Sequence, residues 1–234
     1  MKKFKLLLVA IFTISTCCIA SKTFAQNQNT ATSEDKEAAY TRTINARAAK
    51  IVSTLSIKDS AKANRVKNII ANQYRNLNDI QTYRDDQIKA VKSSGAAKDV
   101  VDTKVKVLED EANIKVDKLH AKYLAALAKE LTPAQVDKVK DGMTYDVVHV
   151  TYNGYVAEIP RLTEDQKKQI MAWLIEAREH AMDAGSSEKK HAWFGKYKGR
   201  INNYLSAQGY DLRKEGEEWQ KRRDAAKETK TPGN

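Results

Sequence analysis

The chain has 234 residues, with 41 Lys or Arg against 30 Asp or Glu and a formal net charge of +11; 41% of the residues are hydrophobic. That length can supply a core that is stable by burial alone. The interleaved charges read as solvated helix surface with a residual preference for anionic partners, not as the concentrated basic patch of a nucleic-acid binder.

The first residues read as an export signal. Lys2, Lys3 and Lys5 precede "LLLVAIFTI", a run of 9 mostly apolar residues, well short of the ~20 needed to span a bilayer. Thr23 and Ala25 occupy the −3 and −1 positions of a signal-peptidase site, so cleavage is expected after Ala25, with residues 1–25 removed. A lipid anchor on Cys17 or Cys18 is disfavoured, because Thr16 and Cys17 fit poorly as the small residue that usually precedes a lipidated cysteine. With the four leader lysines gone, the 41 basic residues fall to 37 against 30 acidic ones, a net charge of +7. Both cysteines leave with the leader, so the mature chain has neither a disulfide nor a thiol to protect. No second long apolar run follows, and no integral membrane segment is expected after cleavage. The predicted location is periplasmic or secreted.

Residues 26–33 read as a polar, disordered leader and 34–229 as a single helical domain with a frayed tail at 230–234. Within it, 34–130 is predicted as a long helical hairpin region. A helix over 34–54 comes first. A second helix starts after Asp59, with apolar or semi-polar positions at Val66, Ile70, Gln73, Leu77, Ile80, Arg84, Gln87 and Val91 in a 3-4 spacing. Gly95 breaks the pattern, and a third helix carries Val101, Val105, Leu108, Ala112, Val116, Leu119, Tyr123 and Leu127. The C-terminal region, 131–229, opens with Thr132 as N-cap and Pro133 in the first turn of a short helix closed by Gly142. "MTYDVVHVTYNGYVAEIP" is rich in Val, Tyr and Thr, and it predicts an extended or irregular insertion near 143–156 with a turn at Asn153-Gly154. Further helices are expected from Thr163 to Gly185, from Ser186 or Ser187 to Gly209, and from Asp211 to about Lys227. The fold class is therefore all-α, a long antiparallel hairpin plus a C-terminal bundle with one short extended insertion.

"LTPAQ" at 131–135 and "LTEDQ" at 162–166 share an L-T-x-x-Q pattern, and "LSIKD" at 55–59 is a degenerate copy. Local physics accounts for much of this: Thr caps the helix and Gln reaches back from the third position. Over residues 50–170 the pattern also resembles the repeated motif of the Spy/CpxP periplasmic chaperones. A second resemblance covers nearly the whole mature chain. "RAAKIVSTLSIKDSAKANRVKNIIANQYRNLNDI", "VKDGMTY" and "EAREHAMDAGSSEKKHAWFGKYKGRINNYLSAQGYDL" are similar to a family of exported bacterial proteins catalogued as a domain of unknown function with a provisional sugar-binding label. That resemblance implies export, helices and an association with carbohydrate; it implies no catalytic residues.

The candidate site is read from the residues themselves. "HAWFGKYKGRINNYLSAQGY" puts Trp193, Tyr197, Ile201, Tyr204 and Leu205 on one stripe of a helix, of which Ile201 and Leu205 are expected in the core. His191, Lys198 and Asn202 run beside that stripe, and Lys196, Arg200 and Asn203 form a third line. Gly195 and Gly199 suit a close approach by a ligand or a neighbouring chain. Aromatic faces, amides and cations together are the chemistry of a sugar site, in which Arg or Lys pairs with the carboxylates of uronic acids. On the preceding helix Glu176, Glu179, His180 and Asp183 share one face, with Arg178 off it. Tyr145, from the extended segment, completes the predicted cleft. No catalytic residue, metal or cofactor is assigned: "EAREH" has Glu176 where an H-x-x-E-H zinc motif requires His. The expected function is that of an exported, non-catalytic carbohydrate-binding or glycan-utilisation accessory protein favouring acidic glycans. The alternatives are a carbohydrate-active lyase or hydrolase and a periplasmic chaperone.

Overall fold

A computed structural model describes residues 32–228. The predicted signal peptide, most of the leader and the frayed tail lie outside the described residues. The described chain is all-α: α1 (Ser33–Ser53), α2 (Ser60–Lys92), α3 (Lys98–Glu130), α4 (Pro133–Met143), α5 (Val147–Glu158), α6 (Glu164–Met182), α7 (Ser187–Ala207) and α8 (Leu212–Glu228).

The helix starts follow from their caps. Thr132 and Thr163 each accept a hydrogen bond from the backbone N–H three residues on, and Gln135 and Gln166 reach back to the cap N–H. The two L-T-x-x-Q repeats are thus capping boxes. Each glutamine also ties its helix elsewhere: Gln135 Nε2 donates to the Leu55 carbonyl at 2.9 Å, and the Tyr210 hydroxyl donates to Gln166 Oε1 at 2.8 Å. The degenerate copy behaves differently, because α2 is capped by Asp59, whose carboxylate accepts from Ala61 and Lys62.

Helices α2 and α3, each 33 residues and so about 50 Å long at 1.5 Å per residue, pack along one another. The ion pair from Arg65 near the start of α2 to Glu130 at the end of α3 fixes their antiparallel sense. Their buried residues cluster toward the bundle; Tyr83, Val100, Val107 and Ile114, farther out on the pair, are exposed. Two cores result. The first joins Ile44 and Ile51 of α1, Val66 and Ile70 of α2, Tyr123 and Leu127 of α3, and Val139 and Met143 of α4. The second joins Val148, Tyr155 and Ile159 to Ile170, Leu174 and Ala177 of α6 and to Phe194, Tyr197, Ile201 and Leu205 of α7. Met182, at the end of α6, belongs to the first core although its helix belongs to the second.

The expected extended insertion is instead a helix, α5, with Asn153-Gly154 in its interior. Val148, Tyr155 and Ile159 are spaced by seven and four residues, which puts them on one helical face, and all three are buried. Burying such side chains stabilises by about 1.5–3 kcal/mol each, more than the fractions of a kcal/mol by which Val, Thr and Tyr disfavour a helix. Gly142 does not close α4 either. It lies in the last turn, where an added Cβ would come within 2.8 Å of Ile51 Cγ1, so its role is close packing against α1. The helix is closed by Tyr145, at φ 59°, in a Schellman turn in which the Asp146 N–H donates to the Asp141 carbonyl at 2.9 Å. Phe194, which lay outside the predicted stripe, is buried with Ile201 and Leu205.

Leu205, fully buried in the second core, provides a test of this packing. Leu205→Ala is expected to lower unfolding stability by about 2–5 kcal/mol, read as a reduced urea midpoint with an unchanged m-value.

Candidate functional site

A cleft of about 860 Å³ lies between the α2–α3 pair and the α6–α7 pair. Helical periodicity selects its walls. Asn113, Val116, Asp117 and His120 form one face of α3, and Lys189, Ala192, Trp193 and Lys196 form one face of α7, each with spacings of three and four residues. Gln81 and Arg84 enter from α2; Glu179, His180 and Asp183 enter from the end of α6. Gly185 lies at the same end because Gln81 occupies its side-chain space: an added Cβ would fall 1.3 Å from Gln81 Oε1.

At one side of the cleft His120 Nδ1 is 2.6 Å from Asp183 Oδ2. Gln73 Nε2 donates to the other carboxylate oxygen at 3.3 Å, and Gln81 Nε2 donates to the Asp183 carbonyl at 3.0 Å. The hydrogen bond to Asp183 holds the imidazolium of His120 above the ordinary histidine range, against partial desolvation. The bond also selects the tautomer in which Nδ1 carries a proton. Nε2 then faces Glu179 Oε2 at 4.0 Å, too far for a hydrogen bond. Glu179 is itself held by Lys140 at 2.8 Å and by Arg178 at 3.3 Å. On the α7 side, Trp193 stacks on His180 with centroids 4.5 Å apart, and the Lys196 ammonium sits 5.1 Å from the Trp193 ring centre. Lys189 and Lys196 have no carboxylate partner among the described residues.

Behind the cleft two buried cations fix α6. Arg178 donates to Asp141 and Asp137, each at 2.7 Å; burial works against its charge, but these bonds keep its pKa above the ordinary value. Its buried Nε has no partner. Lys190 donates from Nζ to the Met182 carbonyl at 2.9 Å, and burial lowers its pKa to about 8.

The predicted site residues divide among several places. Glu179, Asp183, Trp193 and Lys196 line the cleft. Glu176, Tyr197 and Arg200 meet elsewhere on the α6–α7 seam: the Tyr197 hydroxyl donates to Glu176 at 2.7 Å, and Arg200 sits 4.6 Å over the Trp173 ring. Lys198 and Asn202 border a separate hollow of about 300 Å³ with Tyr155 and Glu158, and the Tyr155 hydroxyl donates to Asn202 Oδ1 at 2.6 Å. His191 stacks on Tyr145 at 5.7 Å. Asn203 is exposed and joins none of these groups. Gly195 and Gly199 face open space, with no neighbouring element against them. A helix of 3.6 residues per turn cannot aim residues 191–203 at a single ligand, and the division follows from that.

The reading from sequence missed His120, Asn113 and Asp117, together with Gln81, Arg84 and Lys189. The polar line 113–117–120 is periodic and legible on α3. Its pairing with Asp183, 63 residues on, has no local signature. Asp141, Asp146 and His149 also approach within 4.8 Å of one another, but Asp141 is already engaged by Arg178.

Residues 41–225 match the family described as "Protein of unknown function (DUF3826)", and the chain belongs to that family. No curated protein matches the chain.

His120 and Lys190 predict a pH signature. His120 has a raised folded pKa, so its contribution to stability is complete below the unfolded value of 6.5 and is lost as pH rises through the folded value. Lys190 has the opposite shift: between about 8 and the ordinary lysine value of 10.5 the unfolded chain binds more protons, so stability rises with pH. Urea midpoints measured across this range should fall and then recover. His120→Gln is expected to remove the fall and Lys190→Met the recovery.

Proposed function

We propose that this DUF3826 protein is an exported carbohydrate-binding protein whose site is the cleft between α2–α3 and α6–α7, with a preference for sugars carrying carboxylates. The export reading rests on the basic, apolar and Ala25-terminated leader of the sequence. Among the described residues no helix is long and apolar enough to cross a membrane, which is consistent with that reading. Carbohydrate was also the provisional label of the family that the sequence resembles.

The observation that carries the proposal is the lining of the cleft. A partly exposed tryptophan, Trp193, lines the cleft with two lysines that have no carboxylate partner among the described residues, Lys189 and Lys196, and with the amide side chains of Gln81 and Asn113. An aromatic surface packs on the apolar face of a pyranose, amides exchange hydrogen bonds with its hydroxyls, and free ammonium groups take its carboxylate. Glu179 and Asp183 already accept hydrogen bonds from Lys140, Arg178, His120 and Gln73. They therefore act as fixed acceptors at the floor, and the two lysines at the α7 wall give the ligand its sign. The volume of about 860 Å³ suits a short oligosaccharide, since small-molecule sites run to roughly 300–1,000 Å³.

Titration calorimetry with oligogalacturonides and oligoalginates, against neutral cello-oligosaccharides, tests the proposal. The acidic sugars are expected to bind. Trp193→Ala and Lys196→Ala should each weaken binding about tenfold or more, equivalent to ~1.4 kcal/mol. Arg200→Ala, outside the cleft, should leave it unchanged. Failure of every acidic oligosaccharide to bind, or an equal loss in Arg200→Ala, would overturn the assignment.

A further inference from the structure

Four features of the cleft go beyond binding. His120 is oriented through Nδ1 by Asp183 at 2.6 Å. Asp183 is in turn held through both its carboxylate and its carbonyl, by Gln73 and Gln81. The ring lines the cleft, and Nε2 has no hydrogen-bond partner among the described residues. In the neutral ring, a carboxylate that holds one imidazole nitrogen as a donor leaves the other as a lone pair, which is the arrangement of a general base. Two ammonium groups with no carboxylate partner among the described residues, Lys189 and Lys196, line the same space.

The surrounding groups select among reactions. Glycoside hydrolysis in its usual form needs one neutral carboxylic acid to protonate the leaving oxygen and a second carboxylate opposite. Here Glu179 and Asp183 both accept from cationic or histidine donors, so neither is placed as that neutral acid; the third carboxylate of the cleft, Asp117, is exposed on the α3 face that carries His120 and is not desolvated as such an acid must be. A base together with cations for a carboxylate matches another reaction, removal of the proton on the carbon next to a carboxylate.

We infer that the cleft is catalytic, and that His120 serves as the base in a β-elimination that cleaves uronic-acid glycosides. This rests on the binding reading above. The uronate carboxylate is taken by Lys189 and Lys196, which stabilise the negative charge that develops as the adjacent proton leaves. His120 Nε2 removes the proton from the α carbon of the sugar ring. The electron pair of that C–H bond becomes a carbon–carbon double bond to the β carbon. The bond from the β carbon to the glycosidic oxygen breaks, and the oxygen departs with its electron pair and takes back the proton from His120. One saccharide chain becomes two, one ending in an unsaturated uronate, with no water consumed and no oxidant or reductant needed. Asp183 is a positioning residue: it fixes the tautomer and stabilises the imidazolium that forms transiently.

The experiment incubates the mature protein with polygalacturonate and with alginate. It follows the ultraviolet absorbance of the conjugated unsaturated uronate, with calorimetric binding measured on the same preparations. Absorbance is expected to grow with time, and mass spectrometry should show products whose masses sum to the substrate without added water. His120→Gln should bind the oligosaccharide within about threefold of the wild type while the elimination rate falls at least 100-fold. Asp183→Asn should shift the pH profile of the rate as well as lower it, an effect that loss of packing alone does not produce. Binding without any unsaturated product would overturn the catalytic inference and leave the binding proposal standing. Products one water heavier would replace elimination with hydrolysis. Absence of binding would remove both. If His120→Gln does not fold, the wild-type absorbance and product masses still decide the question.

Discussion

Everything in the cleft depends on how the last turns of α6 are wedged between the two cores. Arg178 is buried against Asp141, Asp137 and Glu179, Met182 is inserted into the first core, and Asp183 reaches α3 through His120. Such a buried pair need not exceed an apolar replacement in stability, but removing one partner leaves an uncompensated charge at about 3–5 kcal/mol. Its consequence here is geometric. Arg178 bonds two residues of α4, so α6 has one permitted height against α4, and with it Glu179 and Asp183 have one permitted position opposite α3. The long side chain of Lys190 adds a second lock from α7, closing on the carbonyl at the end of α6.

The α4–α5 corner shows what that fixing requires. Asp141 accepts the Arg178 guanidinium with its side chain and the Asp146 N–H with its carbonyl. The Schellman turn that results puts Tyr145, and then Asp146, into left-handed backbone conformations at φ 59° and 57°. Glycine is the usual residue there, because a Cβ in that region costs roughly 1–2 kcal/mol. A tyrosine in its place is retained against that cost. Its ring stacks on His191 of α7, so the corner bridges the helix that carries the cleft's aromatic wall to the helix that holds Arg178.

Much of the scaffold was legible in the sequence. Thr132, Thr163 and Asp59 announced their helices through local hydrogen bonds, and local chemistry is what a sequence displays directly. α5 was misread because its Val, Thr and Tyr content and its Asn-Gly pair favour extension locally, while its burial against α6 is a tertiary effect. Its helical period, Val148 to Tyr155 to Ile159, was present and outweighed the composition. The site was half legible. Glu179, Asp183, Trp193 and Lys196 came from segments adjacent in the chain, and helix periodicity placed them. His120 stands on a helix read only for its apolar stripe, and its significance arises from a partner 63 residues away. Arg200, Asn202 and Asn203 were grouped with Trp193 by composition, but the rotation per residue carries them to other faces.

The two hollows that α7 borders show why composition alone misassigned those residues. In the smaller one Lys198 and Asn202 stand with Tyr155 and Glu158, and Tyr155 already satisfies the Asn202 carbonyl oxygen. The Glu158 carboxyl is pushed above its ordinary range by burial and then by Glu215 nearby, and Gly216 packs so closely that a Cβ would come within 3.2 Å of its oxygen. An anionic ligand there would meet a carboxyl group crowded by α8. In the larger cleft Glu179 and Asp183 are engaged by α3, by α4 and by Arg178 of α6 itself, while Lys189 and Lys196 of α7 have no carboxylate partner among the described residues. The same residue types, lysine, amide, aromatic and carboxylate, therefore produce two different electrostatic surfaces. The difference lies in which helices neutralise the acids, and that is decided by the buried contacts that seat α6.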